Sequence, residues 1–232
     1  MILFDIDGTL LSIKKIEYDE TQRYIRAIRD VTGREVNVNV KPTRFAGMVD
    51  PQICNILLTE LGLDEKARKD LLPNVLLRMG EVYRKMEKKG SVLNDGVLEL
   101  LHALSQSANH VLGVLTGNIT AVGEEKLAIT QTQSYFTERF YADQYQDRQS
   151  LVEDAVELCV AKHQLPESEN VIIVGDTPLD IAAANAANAT SIGIASGVYS
   201  KTQLSRAGAT SVFQDLRPSS KLLTSLGFAA NY

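Results

Sequence analysis

Asp5 and Asp7 stand one residue apart, directly after the apolar opening Met1-Ile2-Leu3-Phe4, and are followed by Gly8, Thr9 and a leucine pair. An apolar run that ends in a turn signal reads as a buried strand feeding a loop. Two carboxyl groups held that close in a partly dry site repel each other, so they need a cation or must share a proton. Two more apolar runs end in comparable chemistry. Residues 111–115 are followed by Thr116-Gly117-Asn118, and residues 171–174 lead to Asp176 and Asp180. If these strands are neighbours, their carboxyl-terminal rims bring several carboxylates, a hydroxyl and free backbone N–H groups to one place. Carboxylates and carbonyls without His or Cys are hard ligands suited to Mg²⁺. Thr116, Gly117 and Asn118, at a helix start, suit an oxyanion or phosphate. Each piece also has an ordinary use: Thr116 or Asn118 as a helix cap, Asp176 in a turn, Asp180 as a first-turn acid. What sets the pattern apart is its recurrence at separate strand ends.

The elements that must position these groups follow from the apolar spacing. After the first strand the pattern is helical for about eighty residues. Tyr24, Ile25, Ile28 and Val31 share a face ended by Gly33. Asp50-Pro51 reads as cap and first helical position, with Ile53, Ile56, Leu57 and Leu61 as the buried face before Gly62. A further helix carries Val75, Met79, Val82, Tyr83 and Met86, and Pro73 either starts it or kinks one begun near Glu65. Residues 12–90 are thus expected to form a helical cap, and 1–11 with 91–232 the catalytic core. From Asp95 onward helices and strands alternate: a helix with Val97, Leu98, Leu101 and Leu104, strand 111–115, a helix from Thr120 to Ile129, a brief strand at 140–142. A helix over 151–162 burying Leu151, Ala155, Leu158 and Cys159, strand 171–174, a helix over 179–188 and strand 191–195 complete the pattern. Strands separated by helices imply right-handed crossovers and a parallel sheet. The expected fold class is α/β, a Rossmann-like three-layer parallel-sheet core with an inserted helical cap.

Composition narrows the function. The chain has 232 residues, 44% of them hydrophobic and 23% charged, with a net charge of −5, which is ordinary for a soluble globular protein. The acidic balance, with no Lys/Arg cluster, argues against nucleic acid as partner. No apolar run reaches membrane-spanning length and no signal-type leader precedes the first strand, so no membrane partner and a cytoplasmic location are expected. Cys54 and Cys159 lie far apart without metal-ligand spacing and are expected in the core, while His102, His110 and His163 are expected on the surface.

Asp5-Ile6-Asp7-Gly8-Thr9-Leu10, Leu115-Thr116-Gly117-Asn118 and Gly175-Asp176-Thr177-Pro178-Leu179-Asp180 resemble, in order and spacing, the first, second and fourth motifs of the haloacid dehalogenase superfamily. The resemblance covers essentially the whole chain. The inserted helices, and the loop Phe45-Ala46-Gly47-Met48-Val49-Asp50-Pro51, resemble the helical cap and cap loop of its phosphoglycolate phosphatase-like branch. The resemblance implies Asp5 as nucleophile and Asp7 as acid and base. It implies Mg²⁺ on Asp5, Asp7 (through its carbonyl), Asp176 and Asp180, with Thr116 and Gly117 holding phosphoryl oxygens. The family's third-motif lysine has no plain counterpart. Of the candidates Lys126, Arg139, Arg148 and Lys162, the lysines fall within helices at positions expected to face solvent, and the role is assigned to Arg148. Arg44, Phe45 and Met48 are the expected substrate contacts from the cap loop. The function implied is a Mg²⁺-dependent phosphatase of a small phosphorylated metabolite, acting as a monomer or homodimer. The alternatives are a phosphomutase of the β-phosphoglucomutase type and a non-catalytic phosphate-binding or regulatory protein.

Overall fold

Strand β1 (Ile2–Phe4) lies in the interior of a parallel sheet. With β2 (Leu112–Leu115), β3 (Glu138–Phe140), β4 (Ile172–Gly175), β5 (Thr190–Ile194) and β6 (Ser211–Phe213), the strand order is β3-β2-β1-β4-β5-β6. The computed structural model describes residues 1–15, 19–36 and 43–228. Residues 16–18 and 37–42 of the expected helical insertion, and 229–232 of the expected core, lie outside the described residues. Strand order reverses across β1: the chain builds outward through β2 and β3, then returns to β1's other side with β4. That reversal opens a crevice beyond the carboxyl ends of the strands.

Every residue of β1 is buried, because both faces of the sheet are covered. Alternation sends Ile2 and Phe4 to one apolar layer and Leu3 to the other. The first layer holds α4 (Val97–Ser105), Leu127 of α5 (Thr120–Thr130) and Leu222 of α9 (Ser220–Ser225). The second holds α6 (Arg148–His163) and α7 (Pro178–Ala186). The chain is therefore α/β with a three-layer, all-parallel core. Each large aliphatic or aromatic side chain in these layers contributes roughly 1.5–3 kcal/mol by leaving water.

Helices α1 (Gln22–Thr32), α2 (Asp50–Glu60) and α3 (Glu65–Lys85) lie between β1 and β2 in the sequence and pack into an apolar cluster of their own. Ile28, Leu57 and Met79 lie at its centre, and Ile119 and Val122 at the head of α5 join it from the sheet side. Helix α3 begins at Glu65 with the Asp64 side chain accepting from the Ala67 N–H at 2.8 Å, and it runs on through Pro73.

Several expected elements shift. Leu98 and Leu158 are exposed rather than buried. The face of α4 that meets the sheet is Val97, Leu100, Leu101 and Leu104, and that of α6 is Leu151, Val152, Ala155, Val156 and Cys159, so both leucines sit on the far side of their helices. Strand β3 starts two residues earlier than expected, with the charged pair Glu138 and Arg139, as an edge strand allows. Helix α6 starts at Arg148, not Leu151, with Asp147 as its cap. Cys54 and Cys159 are buried and free. His102 is exposed, whereas His110 is partly buried and stacks on Phe228. No helix among the described residues is long and apolar enough to cross a membrane.

Candidate active site

The register of the sheet aligns the chemistry. Phe4 pairs with Val114 on one side and Val174 on the other. Asp5 is therefore level with Leu115 and Gly175, and Asp7, Thr116 and Asp176 emerge together just beyond the rim. The loop that carries Asp5 and Asp7 is fixed from behind. The Asn94 side-chain amide donates to the Gly8 and Thr9 carbonyls at 2.8 and 2.9 Å, and the Ser196 hydroxyl donates to the Gly8 carbonyl at 2.6 Å.

Arg148, expected as the third-motif cation, is buried at the first turn of α6. Its Nη2 lies 3.1 Å from Asp5 Oδ1 and 2.7 Å from Asp180 Oδ1, and it donates to the Leu115 carbonyl at 3.1 Å. Asp147, its neighbour, caps the helix and accepts from the Ser150 N–H and hydroxyl at 2.8 and 2.9 Å. Asp180 divides its carboxylate between Arg148 and a capping box, accepting from the Thr177 N–H and hydroxyl at 3.1 and 2.7 Å.

Asp5, Asp176 and Asp180 each offer a carboxylate oxygen within 4.8 Å of the others. Asp176 is buried, and its Oδ1 has no hydrogen-bond partner. A Cβ added to Gly8 or to Gly197 would overlap the Asp176 carboxylate, so two glycine backbones wall it in. Burial, followed by the charges of Asp180, Asp5 and Asp7, holds Asp176 well above the ordinary carboxylate range. Burial likewise pushes Asp5 up to about 8, with Asp180 and Asp7 adding to the rise and Arg148 opposing it. A group of hard, mutually repelling oxygens, of which Asp176 Oδ1 and Asp180 Oδ1 are buried without a hydrogen-bond partner, fits a divalent cation of the Mg²⁺ type; Asp5 and Asp176 are the better-placed side chains, since Asp180 Oδ1 lies against Arg148.

The Asp7 side chain faces elsewhere. Lys126, expected to face solvent on α5, is wholly buried and donates to both Asp7 oxygens at 2.6 Å and to Glu20 at 3.1 Å. The correction has a simple cause: α3 packs on α5 and places the Tyr83 ring beside the Lys126 ammonium, roofing over what would otherwise be a solvated helix face. Burial alone would raise the pKa of Asp7; Lys126, Arg23 and the Asn118 amide outweigh it and hold the group below its ordinary value. Any metal contact of Asp7 is thus left to its backbone carbonyl.

Thr116, Gly117 and Asn118 line the same cavity as Asp5, Asp7, Arg148 and Asp176; it measures about 550 Å³, within the usual range for small-molecule sites. Phe45 and Met48 close its other side. Arg44 does not reach it: its guanidinium pairs with Glu60 and lies 4.7 Å from the centre of the Phe45 ring. Sequence reasoning also missed Arg23 and Asp50. Arg23 Nη2 donates to Asp50 Oδ1 at 2.9 Å within the inserted helices, both residues being buried. Asp50 is not the helix cap that Asp-Pro suggested; Val49 holds that position and Asp50 is the first helical residue.

The sequence from residue 2 to 194 matches the model of the haloacid dehalogenase-like hydrolases. The chain belongs to this family. No curated protein matches it. Among solved structures, the chain is similar to a hydrolase from Pseudomonas syringae (19% identity, 98% of this chain and 99% of that one, TM-score 0.65). It is also similar to a predicted phosphoglycolate phosphatase from Haemophilus somnus (22% identity, 94% of each chain, TM-score 0.65). A third is CbbY from Rhodobacter sphaeroides in complex with phosphate (17% identity, 98% of each chain, TM-score 0.63). At these identities the likeness is one of fold.

Proposed function

We propose that this family member is a Mg²⁺-dependent phosphatase that hydrolyses a small phosphomonoester through an aspartyl-phosphate. The observation that carries the reading is the placement of Asp5. Its carboxylate ends an interior strand, is paired with buried Arg148, and shares a 550 Å³ cavity with Thr116, Gly117 and Asn118. An Asp5 oxygen attacks phosphorus and displaces the alkoxide, which takes a proton from Asp7; Asp7 is ionised in the free protein, so it takes up that proton as the negatively charged phosphoryl group binds beside it. Asp7, now ionised, removes a proton from water as that water attacks the same phosphorus, freeing phosphate and restoring Asp5. Arg148 offsets the negative charge gathered around Asp5 and the phosphoryl group, while the Thr116 hydroxyl and the turn behind it hold phosphoryl oxygens. Asp5, Asp176 and the Asp7 carbonyl would hold the cation, with Asp180 directly or through water, and the cation supplies charge neutralisation between nucleophile and phosphate.

Residues 12–90 act in this reading as the cap that excludes water, with Phe45 and Met48 facing the leaving group. The substrate is a small phosphorylated metabolite whose leaving group tolerates an apolar wall. The test is Mg²⁺-dependent phosphate release from p-nitrophenyl phosphate and a panel of phosphometabolites, with Asp5→Asn as control. Absence of release across the panel, or release that survives Asp5→Asn, overturns the reading. Phosphoryl transfer between sugar phosphates without net phosphate release would assign the site to a phosphomutase instead.

A further inference from the structure

Asp50 belongs to the inserted helices, yet it grips the turn that faces the phosphoryl site. Its backbone N–H donates to the Gly117 carbonyl at 2.7 Å, and its Oδ2 accepts from the Ile119 N–H at 2.9 Å. A trans peptide unit is planar, with its C=O and N–H pointing in opposite directions. Fixing the Gly117 carbonyl therefore aims the Asn118 N–H away from Asp50, and that N–H meets the Thr116 hydroxyl oxygen at 3.3 Å. Fixing the Ile119 N–H likewise aims the Asn118 carbonyl outward, where it accepts from the Ala142 N–H at 2.9 Å. One residue thus sets two successive peptide planes of the turn. Among the described residues the Gly117 N–H has no hydrogen-bond acceptor, which leaves it available to a ligand in the cavity that Gly117 lines.

The grip is itself rigidly held. Asp50 is buried, and its other oxygen accepts from Arg23 at 2.9 Å and from the Tyr24 hydroxyl at 2.5 Å. The segment before it presses on the same turn, since a Cβ on Gly117 would overlap the Met48 carbonyl. Glycine at 117 is the residue that lets the two backbones meet.

We propose that Asp50 is a positioning residue for phosphoryl binding: a carboxylate of the cap that orients the core's 116–119 turn, so that the turn takes its binding geometry only when the cap is seated. The proposal rests on the phosphatase reading for its ligand, and its structural half can be tested apart from that reading. Hydrogen–deuterium exchange of backbone amides and calorimetric binding of inorganic phosphate with Mg²⁺ are compared for wild type, Asp50→Ala and Asp64→Ala. The last strips the cap of α3 elsewhere among the inserted helices and serves as a control for stability.

In Asp50→Ala, exchange at Asn118 and Ile119 is expected to rise about tenfold or more while β2 amides are unchanged. Phosphate binding and kcat/KM should fall by roughly tenfold or more, hydrogen bonds to charged groups being worth that much. Asp64→Ala should lower the melting temperature without either effect. If Asp50→Ala does not fold, Asp50→Asn, which keeps an acceptor for the Ile119 N–H, should give intermediate exchange and intermediate phosphate affinity. Unchanged exchange at Ile119, or unchanged phosphate affinity in a folded Asp50 variant, overturns the proposal. A wild-type protein that neither binds phosphate nor turns over any ester overturns the phosphatase reading instead, and the exchange comparison then decides whether Asp50 orients the turn.

Discussion

The Lys126 ammonium sits 2.6 Å from each carboxylate oxygen of Asp7 and is itself entirely buried. It also reaches Glu20, so one cation joins the first-strand loop to the segment ahead of α1. Replacing Lys126 with Met would leave the Asp7 carboxylate free to rotate and without its counter-charge. We expect kcat to fall about tenfold or more, within the range that general acid–base groups contribute, and KM to stay within a few-fold. Steady-state kinetics decide the matter, and an unaltered kcat would show that Lys126 does not set the position of Asp7.

Arg148 makes its contacts with Asp5, Asp180 and the Leu115 carbonyl through a single nitrogen, Nη2, while its buried Nε has no partner. It is thus not used as the bidentate fork that makes arginine irreplaceable elsewhere. Arg148→Lys puts three donors on one nitrogen and removes the orphaned N–H, so it should retain activity within about tenfold. Arg148→Ala leaves two buried acids without their shared cation and should lose on the order of a hundredfold or more in kcat/KM. Equal losses in the two variants would mean that the guanidinium shape, not its charge, is what the site needs.

These two cations show where the sequence was legible. The strand ends could be read because a short buried run followed by Asp, Thr or Gly carries its own punctuation, and parallel pairing then aligns the rims whatever the helices do. Arg148 was reached through the family resemblance, which looks for a cation ahead of the helix expected at Leu151, and it stands at the first turn of α6. Lys126 was not, because a lysine within a helix reads as solvated; its burial depends on α3, whose residues lie some forty positions earlier in the chain. Asp50 followed by Pro51 gave a local capping signal, whereas the bonds that matter run from Asp50 to Gly117 and Ile119. Strand β6 and helix α8 (Lys201–Arg206) are too short for a periodicity to register.

The acid cluster is expected to tie stability to pH and, in the proposed reading, to metal. Both Asp5 and Asp176 have native pKa values raised above the ordinary 3.8, Asp5 to about 8. Between those limits the native, metal-free protein holds protons that the unfolded chain has lost. Stability from these groups is therefore full at low pH and declines as pH rises toward about 8. Asp7, shifted downward, is ionised in both native metal-free and unfolded protein above about pH 5 and adds no slope there. The melting temperature of metal-free protein should fall between about pH 6 and pH 8, and Mg²⁺ should raise it more at the upper end, where fewer protons compete. Calorimetry in buffers of different ionisation enthalpy should show proton release on Mg²⁺ binding. A Mg²⁺ effect independent of pH would remove the raised carboxylates from the metal site.

Gly197 offers the narrowest probe of that site. A Cβ there would overlap Asp176 Oδ2 and lie 2.6 Å from its Cγ, so the walled-in carboxylate must be displaced. Gly197 is absent from the positive-φ glycines, so alanine adds no backbone strain of the kind it would meet at Gly8, where φ is 84°. Gly197→Ala should therefore fold at a cost of roughly 1–3 kcal/mol, as overpacking of a filled buried site usually does. The displaced carboxylate, however, no longer faces Asp5. The Mg²⁺-dependent rise in melting temperature should disappear, and the Mg²⁺ concentration giving half-maximal activity should increase by about tenfold or more, one of the few charged ligands being lost. Thermal melts and activity across a Mg²⁺ series read both quantities. If the variant responds to Mg²⁺ as wild type does, Asp176 is not a ligand, and the cation must be held by Asp5, Asp180 and the Asp7 carbonyl without it.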